Sequence, residues 1–225
     1  MPDQLTAVYL DAILQWRALR SAETPDTPAL SAPLVIDAPP EYEAAQVRLM
    51  IVGQETLGWG ESIAPTRDSE DILETLRDWY RDFDRGARYR ATPFWQAAHQ
   101  LFTTLNPSAT ARAFIWSNLY KMDVGGRRPP VDREAEINDA HILQTEVMAL
   151  RPEVVVFFTG PQYDRRLIDC FPNATFTQIS RTLARVAHPT LPLLSFRTYH
   201  PKYLRLSRQW ATLATITAAC TAAEL

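Results

Sequence analysis

Residues 48–60, Arg-Leu-Met-Ile-Val-Gly-Gln-Glu-Thr-Leu-Gly-Trp-Gly, constrain the fold more than any other stretch of the chain. An uncharged apolar run from Leu49 to Val52 stops at Gly53 and hands over to an amide and a carboxylate, Gln54 and Glu55. A run without polar alternation reads as a strand covered on both faces, and such strands belong to parallel sheets. In open parallel sheets ligands bind beyond the carboxyl ends of the strands, which is where Gly53, Gln54 and Glu55 would fall. Three later runs behave alike: 113–117 leads into Asn118, 154–158 into Thr159-Gly160, and 193–196 into Arg197-Thr-Tyr-His200-Pro201. If the four strands are parallel neighbours, Glu55, Asn118 and His200 converge on one edge. Any parallel sheet ends its strands in polar turn residues, so convergence alone does not define a site.

The alternation of these strands with helical segments predicts an α/β protein, a three-layer αβα arrangement with a central, mainly parallel sheet of at least four strands. Residues 5–19 place Leu5, Val8, Tyr9, Ala12, Ile13, Trp16 and Leu19 at helical spacing, one apolar stripe. Prolines 25, 28, 33, 39 and 40 then forbid a continuous helix over 21–40, which reads as an extended tether across the surface. The expected division is therefore 1–44, an N-terminal helix and tether, and 45–225, the α/β domain. Further helices are expected over 69–83, 94–105 after a Thr92-Pro93 start, 133–150, 162–170 and 203–219.

At 225 residues the chain can bury a core without cross-links. Cys170 and Cys220, its only cysteines, are far apart and lack any Cys-x-x-Cys or Cys/His spacing, so neither a zinc nor an iron–sulfur site is indicated and no metal or cofactor is expected. The first residues have no basic segment followed by a long apolar run, which predicts a cytoplasmic chain without a membrane span. The net charge of −3 hides an asymmetry: nine Lys/Arg against sixteen Asp/Glu in 1–110, fourteen against ten in 111–225. Lys121, Arg127, Arg128, Arg197, Lys202, Arg205 and Arg208 all fall in or near the loops at the proposed edge, which suits a phosphate-bearing ligand or, for Arg205 and Arg208, a solvated helix face.

Glu55, in a loop at a strand end, can hold or activate a water, or only shape its own loop. Asn118 offers one acceptor and two donors, enough to read a nucleobase edge, or it forms a turn. His200 is held extended by Pro201, so its imidazole is aimed at one place, to meet developing negative charge or as a structural histidine. Trp59 and Phe94 are candidate platforms for a flat ligand, or core residues.

Taken in order, Val52-Gly-Gln-Glu, Phe114-Ile-Trp-Ser-Asn-Leu-Tyr-Lys121, Pro152-Glu-Val-Val-Val-Phe-Phe-Thr-Gly160 and Tyr199-His-Pro-Lys-Tyr-Leu204 resemble the signature strands and loops of the uracil-DNA glycosylase superfamily, over roughly residues 45–220. The resemblance implies Gln54 lining a base pocket by its backbone, Glu55 where the water-activating aspartate stands, and Asn118 reading the base. It further implies His200 stabilising the departing base anion and Leu204 as the wedge that fills the stack; Lys202 and Arg205 are placed to grip phosphate, and the basic loop residues Arg127 and Arg128 are also expected on the DNA. The chain departs from the family pattern at Thr56-Leu57, where Pro-Tyr or Pro-Gly is usual, at Glu55 for aspartate, and at Lys202 for a phosphate-gripping serine. The implied activity is hydrolytic excision of a uracil-like, damaged or modified base from single- or double-stranded DNA by a monomer, with the free base as product. A catalytically silent relative and a hydrolase of free nucleosides or nucleotides are the alternatives.

Overall fold

A computed structural model of the chain describes residues 2–109 and 113–223. Each apolar run becomes a strand within a residue or two of its expected bounds: β1 (Leu49–Gly53), β2 (Ile115–Asn118) and β3 (Val154–Phe157), then, after a hairpin of β4 (Thr175–Ser180) and β5 (Leu183–Ala187), β6 (Leu194–Thr198). Every residue of β1, β2, β3 and β6 is buried; the lack of polar alternation requires this of β1 and β3, whereas β2 and β6 also bury the polar residues Ser117, Asn118, Ser195, Arg197 and Thr198. These four pair in parallel in the order β2-β1-β3-β6, and β5 and β4 extend the sheet antiparallel beyond β6. The hairpin was not anticipated, because β4 is almost wholly exposed and carries no apolar face to read.

The helices are α1 (Pro2–Ser21), α2 (Ser69–Phe83), α3 (Pro93–Leu105), α4 (Val131–Ile137), α5 (Ala140–Leu150), α6 (Asp164–Cys170), α7 (Pro201–Leu206) and α8 (Thr212–Thr221). They flank the sheet in a three-layer αβα fold, α1 lying against α2, α4 and α5, and α3 against α7 and α8. The Asp68 side chain caps α2 by accepting from Glu70 N at 3.1 Å, and Glu70 and Asp71 occupy the positive end of its dipole. Tyr80 of α2 protects the outer edge of β2: its hydroxyl donates to Trp116 O and accepts from Trp116 N, both at 2.9 Å.

Three expectations are corrected. The helix expected over 133–150 breaks at Asn138, left-handed with φ 45°, because Asp139 turns inward to accept from Lys121 N at 2.6 Å and to pair with Arg166. The helix expected over 203–219 is two: Arg208 takes φ 57°, Gln209 N reaches Leu204 O at 2.7 Å, and α8 is redirected onto α3 and β6. The tether runs over the surface only at 21–29 and 37–40, since Leu30, Ala32, Leu34, Val35 and Ile36 between them are buried in the same core cluster as the strands. Its backbone stays paired although it is no strand: Ser31 N bonds Asp123 O, Ala32 N Trp59 O and Leu34 N Lys121 O, at 2.8–2.9 Å. Residues 30–36 therefore brace the loops that follow β1 and β2.

Candidate active site

The site begins with the register of β1 on β2, which sets Gly53 directly beside Asn118. A Cβ at Gly53 would collide with Asn118 Oδ1 and reach the Phe94 ring at 3.4 Å, so only glycine lets that amide and that ring close over the end of β1. Gln54 then ties two strand ends together: its side chain donates to Thr159 O at 2.9 Å, past β3, while its carbonyl accepts from Tyr120 N at 3.0 Å, past β2. The following residues are stapled by Asp123, a buried carboxylate that accepts from Thr56 Oγ1 (2.6 Å), Gly58 N (2.8 Å) and Gly126 N (2.7 Å). Thr56, one of the departures from the family pattern, is thus a loop-shaping hydroxyl. No motif in the sequence marks Asp123, because its partners are one hydroxyl and two backbone N–H groups, brought to it by the folding of two loops.

Between these loops lies a cavity of about 380 Å³, within the size range of small-molecule sites. Its polar lining comes from Gln54, Glu55, Asn118 and His200, and its aromatic lining from Trp59, Phe83, Tyr89, Phe94, Trp95 and Trp116. Glu55, Asn118 and His200 thus meet in one cavity, with both candidate platform rings. Phe94 stands edge-on to Phe158 at 5.6 Å and 5.8 Å from the His200 ring; Trp59 stands edge-on to Trp116 at 5.8 Å and to Phe83 at 5.7 Å.

Burial raises the Glu55 pKa above the usual glutamate value, opposed by a hydrogen bond from Tyr163 Oη to Glu55 Oε2 at 2.8 Å and by the Arg128 charge. Burial lowers the His200 pKa, helped by the positive charge of Lys202, so the imidazole is neutral at pH 7. Lys202 N points its proton at His200 Nδ1, 3.2 Å away. A backbone N–H can only donate, so Nδ1 is the acceptor and the ring proton sits on Nε2. Asn118 Nδ2 is buried without a hydrogen-bond partner. Leaving such a donor unsatisfied costs about 1–3 kcal/mol, a cost that an acceptor on a ligand would remove.

The basic residues divide. Lys202, Arg205, Arg127 and Arg128 are exposed, although Arg205 bonds Gln96 and covers the Trp210 ring, and Arg128 pairs with Glu134 at 3.1 Å. Lys121 is not part of any basic face, being fully buried and paired with Glu146 at 2.6 Å. Arg197 is likewise committed, to Asp164 at 3.0 Å. Leu204 cannot enter a base stack from where it lies, since it is 0 % exposed on the core side of α7. The apolar side chain that does stand at the mouth of the cavity is Leu57, 86 % exposed. Among the described residues no cluster of three or more His, Cys, Asp or Glu could hold a metal ion, and no helix is long and apolar enough to cross a membrane.

Fold and site together define an α/β protein with a mixed polar and aromatic pocket at the carboxyl ends of its parallel strands. The sequence matches no protein-family model and no curated protein.

Proposed function

We propose that the protein is a DNA glycosylase of the uracil-DNA glycosylase kind, which flips a uracil-like, damaged or modified base into the cavity and hydrolyses its N-glycosidic bond. The observation that carries this reading is the meeting of Glu55, Asn118 and His200, sent from three strand ends to one cavity. Breaking the bond between C1′ and the base nitrogen builds positive charge on the sugar and negative charge on the base. Glu55 takes the proton of the attacking water, the C1′–N bond breaks, and its electron pair leaves with the base. The neutral His200 donates from Nε2, and Asn118 from Nδ2, to the oxygen on which that charge collects. Both donors act mainly on charge present in the transition state. Phe94 and Trp59 offer ring faces for the base. Flipping costs about a few kcal/mol, offset by phosphate contacts from Lys202, Arg205, Arg127 and Arg128 and by an apolar side chain inserted in the stack, for which Leu57 replaces Leu204. The enzyme would work as a monomer on DNA in the cytoplasm.

The test is a panel of oligonucleotides bearing uracil, hypoxanthine and modified cytosines, incubated with the protein and then cleaved with alkali at abasic sites. Strand cleavage for at least one base is expected, and His200→Ala should lower its rate about 100- to 1000-fold with little change in DNA affinity. Binding of the panel without cleavage would replace this reading by a silent base binder. Release from free nucleosides alone would replace it by a nucleoside hydrolase.

A further inference from the structure

We propose that Tyr163 is the positioning residue for Glu55, a role that rests on reading Glu55 as the carboxylate that activates water. Tyr163 lies on the single turn Pro161–Tyr163 that follows β3, is nearly buried, and donates from its hydroxyl to Glu55 Oε2 at 2.8 Å. One carboxylate oxygen is thereby committed, which stops rotation of the group and leaves Oε1 to take a proton from water.

The tyrosine is itself held. The Arg128 guanidinium lies 5.1 Å from the Tyr163 ring centroid and 5.3 Å from that of Tyr120, and the two rings meet edge to face at 6.2 Å. Glu134 anchors this stack by accepting from Tyr120 Oη at 2.7 Å and from Arg128 at 3.1 Å. A cation over a phenol ring polarises it and strengthens its hydroxyl as a donor. Burial, then the charge of Glu55, pushes the Tyr163 pKa upward, so the phenol keeps its proton and remains the donor.

The groups that set the charge of Glu55 come from two loops, Tyr163 after β3 and Arg128 and Asp123 after β2; His200, after β6, lines the same cavity. Tyr163 and Arg128 favour the carboxylate, while burial and Asp123 oppose it. Deleting the phenol hydroxyl should therefore raise the Glu55 pKa and misplace the carboxylate without emptying the cavity.

The variant is Tyr163→Phe, which keeps the ring under Arg128 and removes one oxygen. Its kcat should fall roughly 10-fold at neutral pH with KM unchanged, and the acid limb of its pH–rate profile should move to higher pH. A second measurement needs no activity: the Glu55 side-chain carboxyl is followed by carbon NMR across pH, assigned by its loss in Glu55→Gln. A midpoint higher in Tyr163→Phe than in the parent supports the proposal; an unmoved midpoint overturns it, whatever the rates. If the midpoint rises but the parent cleaves no oligonucleotide, the hold of Tyr163 on Glu55 stands and the excision reading falls.

Discussion

Glu55 and His200 are both biased toward their uncharged forms by one cause, burial at the end of the sheet, and the bias has opposite consequences for stability. The native state binds a proton at Glu55 more tightly than the unfolded chain does. Stability is therefore lost as pH rises from the ordinary glutamate value through the raised native one. For His200 the native state binds its proton less tightly, so stability is lost as pH falls below the ordinary histidine value. Glu55→Gln keeps the shape, and its amide oxygen can still accept from Tyr163, while the charge is gone. Thermal melts should show this variant at least as stable as the parent at neutral pH, with the gain vanishing below the glutamate range, while activity drops by about 100-fold or more. An unchanged rate in a folded Glu55→Gln protein would reduce Glu55 to a loop scaffold.

At the scale of elements, the loop after β1 presents Glu55 to the cavity and is held from outside. Asp123 from the next loop and the buried 30–36 segment hold it, through Thr56, Gly58 and the carbonyl of Trp59. Leu57 of that loop stands out at the mouth, an exposed leucine lining the cavity. An inserted side chain has a gap to fill only where a base leaves a duplex stack. Leu57→Ala should accordingly slow excision from duplex DNA several-fold while barely changing it on single strands. Equal losses on both would assign Leu57 to the pocket wall instead.

Across the whole molecule, a buried polar network joins the N-terminal helix to the sheet. Glu146 of α5, fully buried, accepts from Tyr9 Oη of α1 at 2.9 Å, Ser117 Oγ of β2 at 2.7 Å and Lys121 Nζ at 2.6 Å. Tyr9 Oη also accepts from Ile36 N at 3.1 Å, so helix, tether, sheet and site-loop root share one carboxylate. Removing Lys121 leaves a buried carboxylate with two hydroxyl donors and no opposite charge. Lys121→Met should cost about 3–5 kcal/mol in urea denaturation, and adding Glu146→Gln should recover most of it. Failure of the double variant to recover would show that Lys121 acts by packing alone.

The sequence by itself determined the parallel strands and the side chains at their ends, because strands covered on both faces show as short, largely apolar runs that stop at polar turn residues. That is why Glu55, Asn118 and His200 stand out in the sequence at or just beyond the ends of β1, β2 and β6. Only the tertiary structure decided what those residues touch. Tyr163, Asp123 and the Arg128 stack reach Glu55 and its loop from distant segments, and no local spacing announces contacts made across the sheet edge. It also turned Leu204 and Lys121 inward and drew residues 30–36 of the proline-rich tether into the core. In each case burial depends on what lies opposite, and a one-dimensional pattern carries no record of the opposite wall.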